Sequence, residues 1–125
     1  MPVTPTRHFG EIEFAEEAAI DFPSGLPGFE DHRRFLLIQA PEHAPLLFLQ
    51  SLEGVQTCLP ALPVKLVDPL YELAAAPEDL ELLGPGPPGE LLCLCVISAP
   101  NNRQATANLL APILIRPSTG KGVQA

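Results

Sequence analysis

Asp21-Phe-Pro-Ser-Gly-Leu-Pro-Gly-Phe-Glu-Asp31, with the apolar run Phe35-Leu-Leu-Ile38 close behind it, decides how this chain is read. Prolines 23 and 27 fix φ and remove backbone donors, while glycines 25 and 28 open positive φ. No helix or strand accommodates that spacing, so the segment is a rigid connector of several turns. Phe22, Leu26 and Phe29 are too apolar for an ordinary solvent loop. They are expected to plug a structural corner, and the other reading is that the turns shape a binding surface.

The rest of the composition agrees with a β architecture. The chain has 125 residues, enough for one domain over 1–125, which buries roughly two-thirds of its unfolded surface. Sixteen prolines rule out a long helical bundle, since each interior proline costs a helix about 3 kcal/mol. Short strands joined by tight turns accept them. The expectation from composition is an all-β or mostly-β domain.

Along the chain, Phe9–Phe14 alternates as a half-buried strand, and Ala18–Phe22 leads as a second into the connector. Phe35–Gln39 is a buried strand, and Leu46–Leu52 and Val55–Leu59 form a hairpin about Glu53-Gly54. Pro60, Pro63 and Pro69 interrupt the next region, where Val64–Val67 is a possible strand. Pro77, the acids Glu78, Asp79 and Glu81, and Gly84 mark a helix of about two turns. Gly84–Gly89 is a loop, and Leu91–Ser98 is the most apolar strand, expected to be central. Ala99–Arg103 turns the chain toward the apolar segment Thr106–Ile115, where Pro112 implies a bulge or an edge.

Fifteen acidic against seven basic residues give a net charge of −8. No basic run is present to release counterions from phosphates, which argues against nucleic acid and anionic membranes as partners. The first eight residues lack the apolar core of a signal peptide, and no apolar stretch approaches the ~20 residues of a membrane span. Three cysteines cannot all pair within one chain, so a reducing cytoplasm is expected.

Catalytic equipment is missing. His8, His32 and His43 fall in loops away from carboxylates and cysteines at ligand spacing, and are expected on the surface. Cys58, Cys93 and Cys95 read as buried, unreactive thiols, because a zinc site needs further ligands. No serine has a nucleophile's setting, and Glu11 and Glu13 read as the solvated face of a strand. No catalytic, cofactor or metal residue is therefore assigned. Asn108 stands out as a polar residue in an apolar strand, where an unpaired amide costs about 1–3 kcal/mol. It is expected to bond neighbouring backbone at a bulge beside Pro112, or to contact a partner. Three classes stay open on the residues alone: a binding protein, a small barrel hydrolase or isomerase using an acidic pair, and a structural subunit.

Phe9-Gly-Glu-Ile-Glu13, the connector, and Ala105-Thr-Ala-Asn-Leu-Leu-Ala-Pro-Ile-Leu-Ile115 together resemble the flagellar assembly factor FliW family in order and spacing. The resemblance covers about residues 9 to 122 and implies an all-β, mostly antiparallel, small β-barrel-like domain with one short helix. It implies a non-enzymatic cytoplasmic protein, without cofactor or metal, that binds the translational regulator CsrA and relieves its repression of flagellin synthesis. It also implies binding of flagellin, and no direct contact with nucleic acid or membrane. Partner-binding residues are expected at Phe29 and Glu30 of the connector and at Asn108 and Pro112 of the later segment. The chain departs from the family pattern in the proline-interrupted region Cys58–Glu72 and after Lys121, where members usually continue through another strand and an acidic tail.

Overall fold

The structure, a computed structural model, describes residues 1–98 and 104–125. The expected turn Ala99–Arg103 lies outside the described residues. Strands β1 (Val3–Thr6) and β2 (Gly10–Glu13) form an antiparallel hairpin. They are followed by β3 (Ile20–Asp21), β4 (Arg34–Gln39), β5 (Leu47–Ser51) and β6 (Cys58–Pro63). Helices α1 (Val64–Val67) and α2 (Pro77–Leu83) come next. Strands β7 (Leu92–Ser98), β8 (Thr106–Ala107), β9 (Ile113–Arg116) and β10 (Lys121–Gln124) complete the chain.

The sheet runs β6-β5-β4-β3-β10-β9-β7, and β7 pairs back onto β6. That closes a seven-stranded barrel, which abolishes the sheet edges a flat arrangement would leave open. All of its pairings are antiparallel except β3 with β10. The all-β barrel expectation therefore holds, with α2 as the one substantial helix.

Period-2 alternation sorts side chains between the two faces. Inside, Phe22, Phe35, Leu49, Leu94, Ile113 and Ile115 belong to one buried cluster. Outside, Leu114 and Val123 meet Leu83 of α2 in a second, smaller cluster. Pro77 sits in the first turn of α2, followed by Glu78 and Asp79, and Gly84 ends the helix at φ +83°. These are the start and stop signals of its sequence.

Three expectations are corrected. Val64–Val67 is one helical turn rather than a strand. A four-residue apolar run fits either state, and here only Val64 needs burial. Strand β6 runs through Pro60 and Pro63 instead of being broken by them. Pro60 pairs with β5 alone and Pro63 with β7 alone, so each ring sits where β6 lacks one neighbour and no ladder donor is lost. The hairpin of β5 and β6 turns over six residues, 52–57, because the buried Gln50 amide donates to the carbonyls of Ser51, Gly54 and Val55 and organises a longer loop. Strand β1 carries no strong sequence signal; buried Thr4 and Thr6 line its inner side.

Candidate functional site

The connector between β3 and β4 is a stack of tight turns. Gly25 N–H donates to Phe22 O at 2.8 Å, Phe29 N–H to Leu26 O at 2.7 Å, and His32 N–H to Phe29 O at 2.9 Å. Gly25 adopts φ +65°, and a Cβ there would lie 2.6 Å from the carbonyl oxygen of Glu30. Glycine is therefore required twice over, by backbone conformation and by space. Phe22 and Leu26 are fully buried, as plugs should be. The Phe22 ring packs edge-on against Phe35 and over Gly122, where any Cβ would fall 2.6 Å from the ring.

Phe29 behaves differently. It is 36 % exposed and stands edge-to-face with His32, so it is no plug. It closes a two-residue reversal in which it pairs with Leu26. His32 is not a free surface residue either: it is half-buried, and its Nδ1 lies 2.7 Å from Ser51 Oγ. His8 and His43 are exposed as expected.

The second distinctive segment interrupts a strand. Ala107 pairs with Ile97 and Ile113 pairs with Leu94, so the five residues 108–112 lie opposite only Cys95 and Val96 of β7. The excess is expelled as a wide bulge. Asn108 is exposed, not buried in a strand, and its Oδ1 accepts from Leu110 N–H and Ala111 N–H at 3.2 Å each. The expected amide-to-backbone bond at a bulge is present. Pro112 is buried, and its carbonyl accepts from Ala125 N–H at 2.9 Å.

Connector and bulge strand meet across an open groove of about 270 Å³. Leu26, Pro27 and Phe29 form one wall; Ala107, Asn108 and Gln124 belong to the other. Apolar Leu59 and Val96 and polar Ser98 and Thr106 also line the groove. Two of the four residues expected to bind partners, Phe29 and Asn108, thus line one groove. Glu30 is exposed nearby in sequence but turns its carboxylate onto Gly28 N–H at 3.0 Å. That backbone hydrogen bond, with one from its own N–H, holds the Glu30 carboxyl below the ordinary range. Sequence reasoning missed Gln124, Tyr71 and the exposed Leu110. Asn108 four residues before Pro112 is turn chemistry, and it was the available signal that the leucines between them leave the strand.

Four surface grooves of about 210 to 370 Å³ each contain at most one carboxylate. Among these, an acidic pair has no site. Burial raises the pKa of all three thiols, although only Cys95 is fully buried, with its Sγ 3.5 Å from Leu62 O. Cys58 and Cys93 are half-buried, less enclosed than expected. Among the described residues, no cluster of three or more His, Cys, Asp or Glu is placed to hold a metal ion, and no helix is long and apolar enough to cross a membrane.

Closed barrel, plugged corner and projecting bulge define a class of small β-barrel whose differentiated features lie on its outer surface. The sequence profile of the FliW protein family matches residues 4–125. The flagellar assembly factor FliW of Thermotoga neapolitana is 44 % identical over 117 residues, 92 % of this chain and 78 % of that one. That of Syntrophomonas wolfei is 38 % identical, over 92 % and 74 % respectively. A crystal structure of the flagellar assembly factor FliW superposes with a TM-score of 0.90 at 27 % identity, over 99 % of this chain and 87 % of that one. The chain belongs to the FliW family.

Proposed function

We propose that this protein is a non-enzymatic, cytoplasmic flagellar assembly factor that works by protein-to-protein binding. It binds CsrA and relieves its repression of flagellin synthesis, and it binds flagellin, without contacting nucleic acid itself. The observation that carries the reading is the convergence of two segments some eighty residues apart in sequence, the connector and the bulge strand, on the walls of one open groove. An open groove lined by both apolar and polar residues suits a protein surface, whereas small-molecule sites bury most of their ligand. The charge of −8 supports the exclusion of RNA, since apart from the pair Arg33-Arg34, which stands beside Glu30 and Asp31, basic groups occur singly.

Calorimetry with the cognate CsrA, and separately with a flagellin leader RNA, tests the proposal. Binding of CsrA with a nanomolar to low-micromolar Kd and no heat from RNA is expected. RNA binding, with no CsrA signal up to about 100 μM, would replace this reading with a nucleic-acid role. Phe29→Ala and Asn108→Ala should each weaken the protein complex if the groove is its seat.

A further inference from the structure

Beyond the groove, a second surface carries its own construction. Leu110, at the tip of the bulge, is 96 % exposed, and Leu70 is 88 % exposed. Each sits two residues after a side-chain oxygen that accepts its N–H: Asn108 Oδ1 for Leu110 at 3.2 Å, and Asp68 Oδ1 for Leu70 at 3.1 Å. The two turns are joined, because the Tyr71 hydroxyl donates to Leu109 O at 3.3 Å. The bulge is further anchored by Gln124 Nε2 donating to Ala111 O at 3.0 Å and by Ala125 N–H donating to Pro112 O. Leu66, Val67 and Leu73 are also exposed in the run that bears Leu70. Isolated exposed leucines are ordinary, but leucines displayed on adjoining, hydrogen-bonded turns form a patch of the kind that marks an interaction site.

We propose that Leu70 and Leu110 are paired knobs that dock an amphipathic helix of a protein partner, its apolar face flanked by basic side chains. A helix offers holes between residues at i, i+3, i+4 and i+7, the natural seat for a projecting leucine. Rigid turns hold both knobs in place beforehand, which limits the ordering cost of association. The charged residues within 64–73 and 108–112 are Lys65, Asp68 and Glu72, acidic on balance, so the helix that fits carries Lys or Arg beside its apolar stripe. A second copy of this chain fits poorly, since two convex patches do not complement each other and both chains carry −8.

The inference rests on the reading of the chain as a protein-binding factor, and its test separates the two. The wild type, Leu110→Asp, Leu70→Asp and the double variant are titrated with CsrA and with flagellin. Both sites are exposed, so melting temperatures should stay within a degree or two of wild type. Each single variant should lose about 30-fold in affinity for at least one of the two proteins, consistent with losing a buried leucine contact. Wild-type affinity in all variants for both proteins overturns the knobs and leaves the protein-binding reading standing. Should the wild type bind neither protein, that reading falls, and the knobs are judged on a helical peptide with a leucine face flanked by lysines and on its glutamate-flanked counterpart. Preference of at least tenfold for the lysine peptide, lost in the double variant, supports the docking site; equal binding of the two peptides, or binding unchanged in the variant, refutes it. Self-association of the wild type that Leu110→Asp abolishes also refutes it, by making a second copy the occupant.

Discussion

The connector at 22–29 and the bulge at 108–112 are written in similar residues and end in opposite places. Both combine leucines with proline and a turn-forming Gly or Asn. In the connector, Phe22 and Leu26 are fully buried. In the bulge, Leu110 is almost wholly exposed while the proline is buried. The difference is one of attachment. The connector joins β3 to β4 at a mouth of the barrel, where a chain reversal carries side chains into unfilled core. The bulge arises inside a strand whose two halves both pair with β7, so three surplus residues can leave only outward. Turn chemistry sets the local path; the surrounding pairings decide which way the apolar groups face.

Substitutions can break this contrast, beginning with the core that the connector seals. Leu94 is fully buried on the inner face of β7, and Leu94→Asp should abolish the cooperative thermal transition. An uncompensated buried carboxylate with lost packing rivals a whole domain's stability of roughly 5–15 kcal/mol. Ile97, half-buried near the end of the same strand, should tolerate Asp with a depressed but cooperative melt. A cooperative melt at the wild-type temperature in Leu94→Asp would remove β7 from the core.

Next in size is Phe22→Ala, which leaves a void against Phe35 and Gly122. A loss of about 3–5 kcal/mol is expected in urea denaturation; a loss below about 1 kcal/mol would mean that the connector does not plug the barrel. Asn108→Ala removes two exposed hydrogen bonds from the bulge. Its stability cost should be only about 0.5–1.5 kcal/mol, with faster amide exchange at Leu110 and Ala111 as the local signature. Unchanged exchange there would show the bulge to be held by other contacts.

The smallest effect belongs to a third irregular region, the loop 84–90, which is tied down by polar contacts instead of plugs. Glu90 accepts from both the N–H and the hydroxyl of Ser118 and lies 3.6 Å from the buried Arg116 guanidinium. The Ser118 side-chain hydrogen bond is the largest influence lowering the Glu90 pKa below 4.5. A carboxylate depressed in the folded state stabilises fully above its unfolded pKa, and that contribution is lost as pH falls through the folded value. The melting-temperature gap between wild type and Glu90→Gln should therefore be widest near pH 6 and shrink below pH 4.5. A gap that stays constant with pH would mean that the Glu90 charge does not hold this loop.

Much of the fold was legible because local chemistry speaks directly about local structure. Pro77, the acids after it and Gly84 delimit α2, and the continuous apolar run of Leu91–Ser98 marks the strand that meets three neighbours. Other features escaped for identifiable reasons. Val64–Val67 is too short for periodicity to separate helix from strand. The fitness of Pro60 and Pro63 for β6 depends on which neighbour is missing at each, a fact about pairing that no single segment contains. Phe29 was read as a plug by its hydrophobicity, yet it is 36 % exposed and stands edge-on to His32, a placement its own segment does not announce.

By itself, the sequence determined that this chain makes short strands and tight glycine-proline turns around an aliphatic core, with an acidic surface and three signature segments of the FliW family. Backbone propensity, side-chain alternation and net charge are properties of neighbouring residues or of sums, so they can be read along a line. Only the tertiary structure decided that the barrel closes through β6 and β7, that Phe29 and Asn108 share a groove, and that Leu70 and Leu110 stand on joined turns. Those outcomes depend on long-range hydrogen-bond register, which assigns each side chain its face only after distant strands have met.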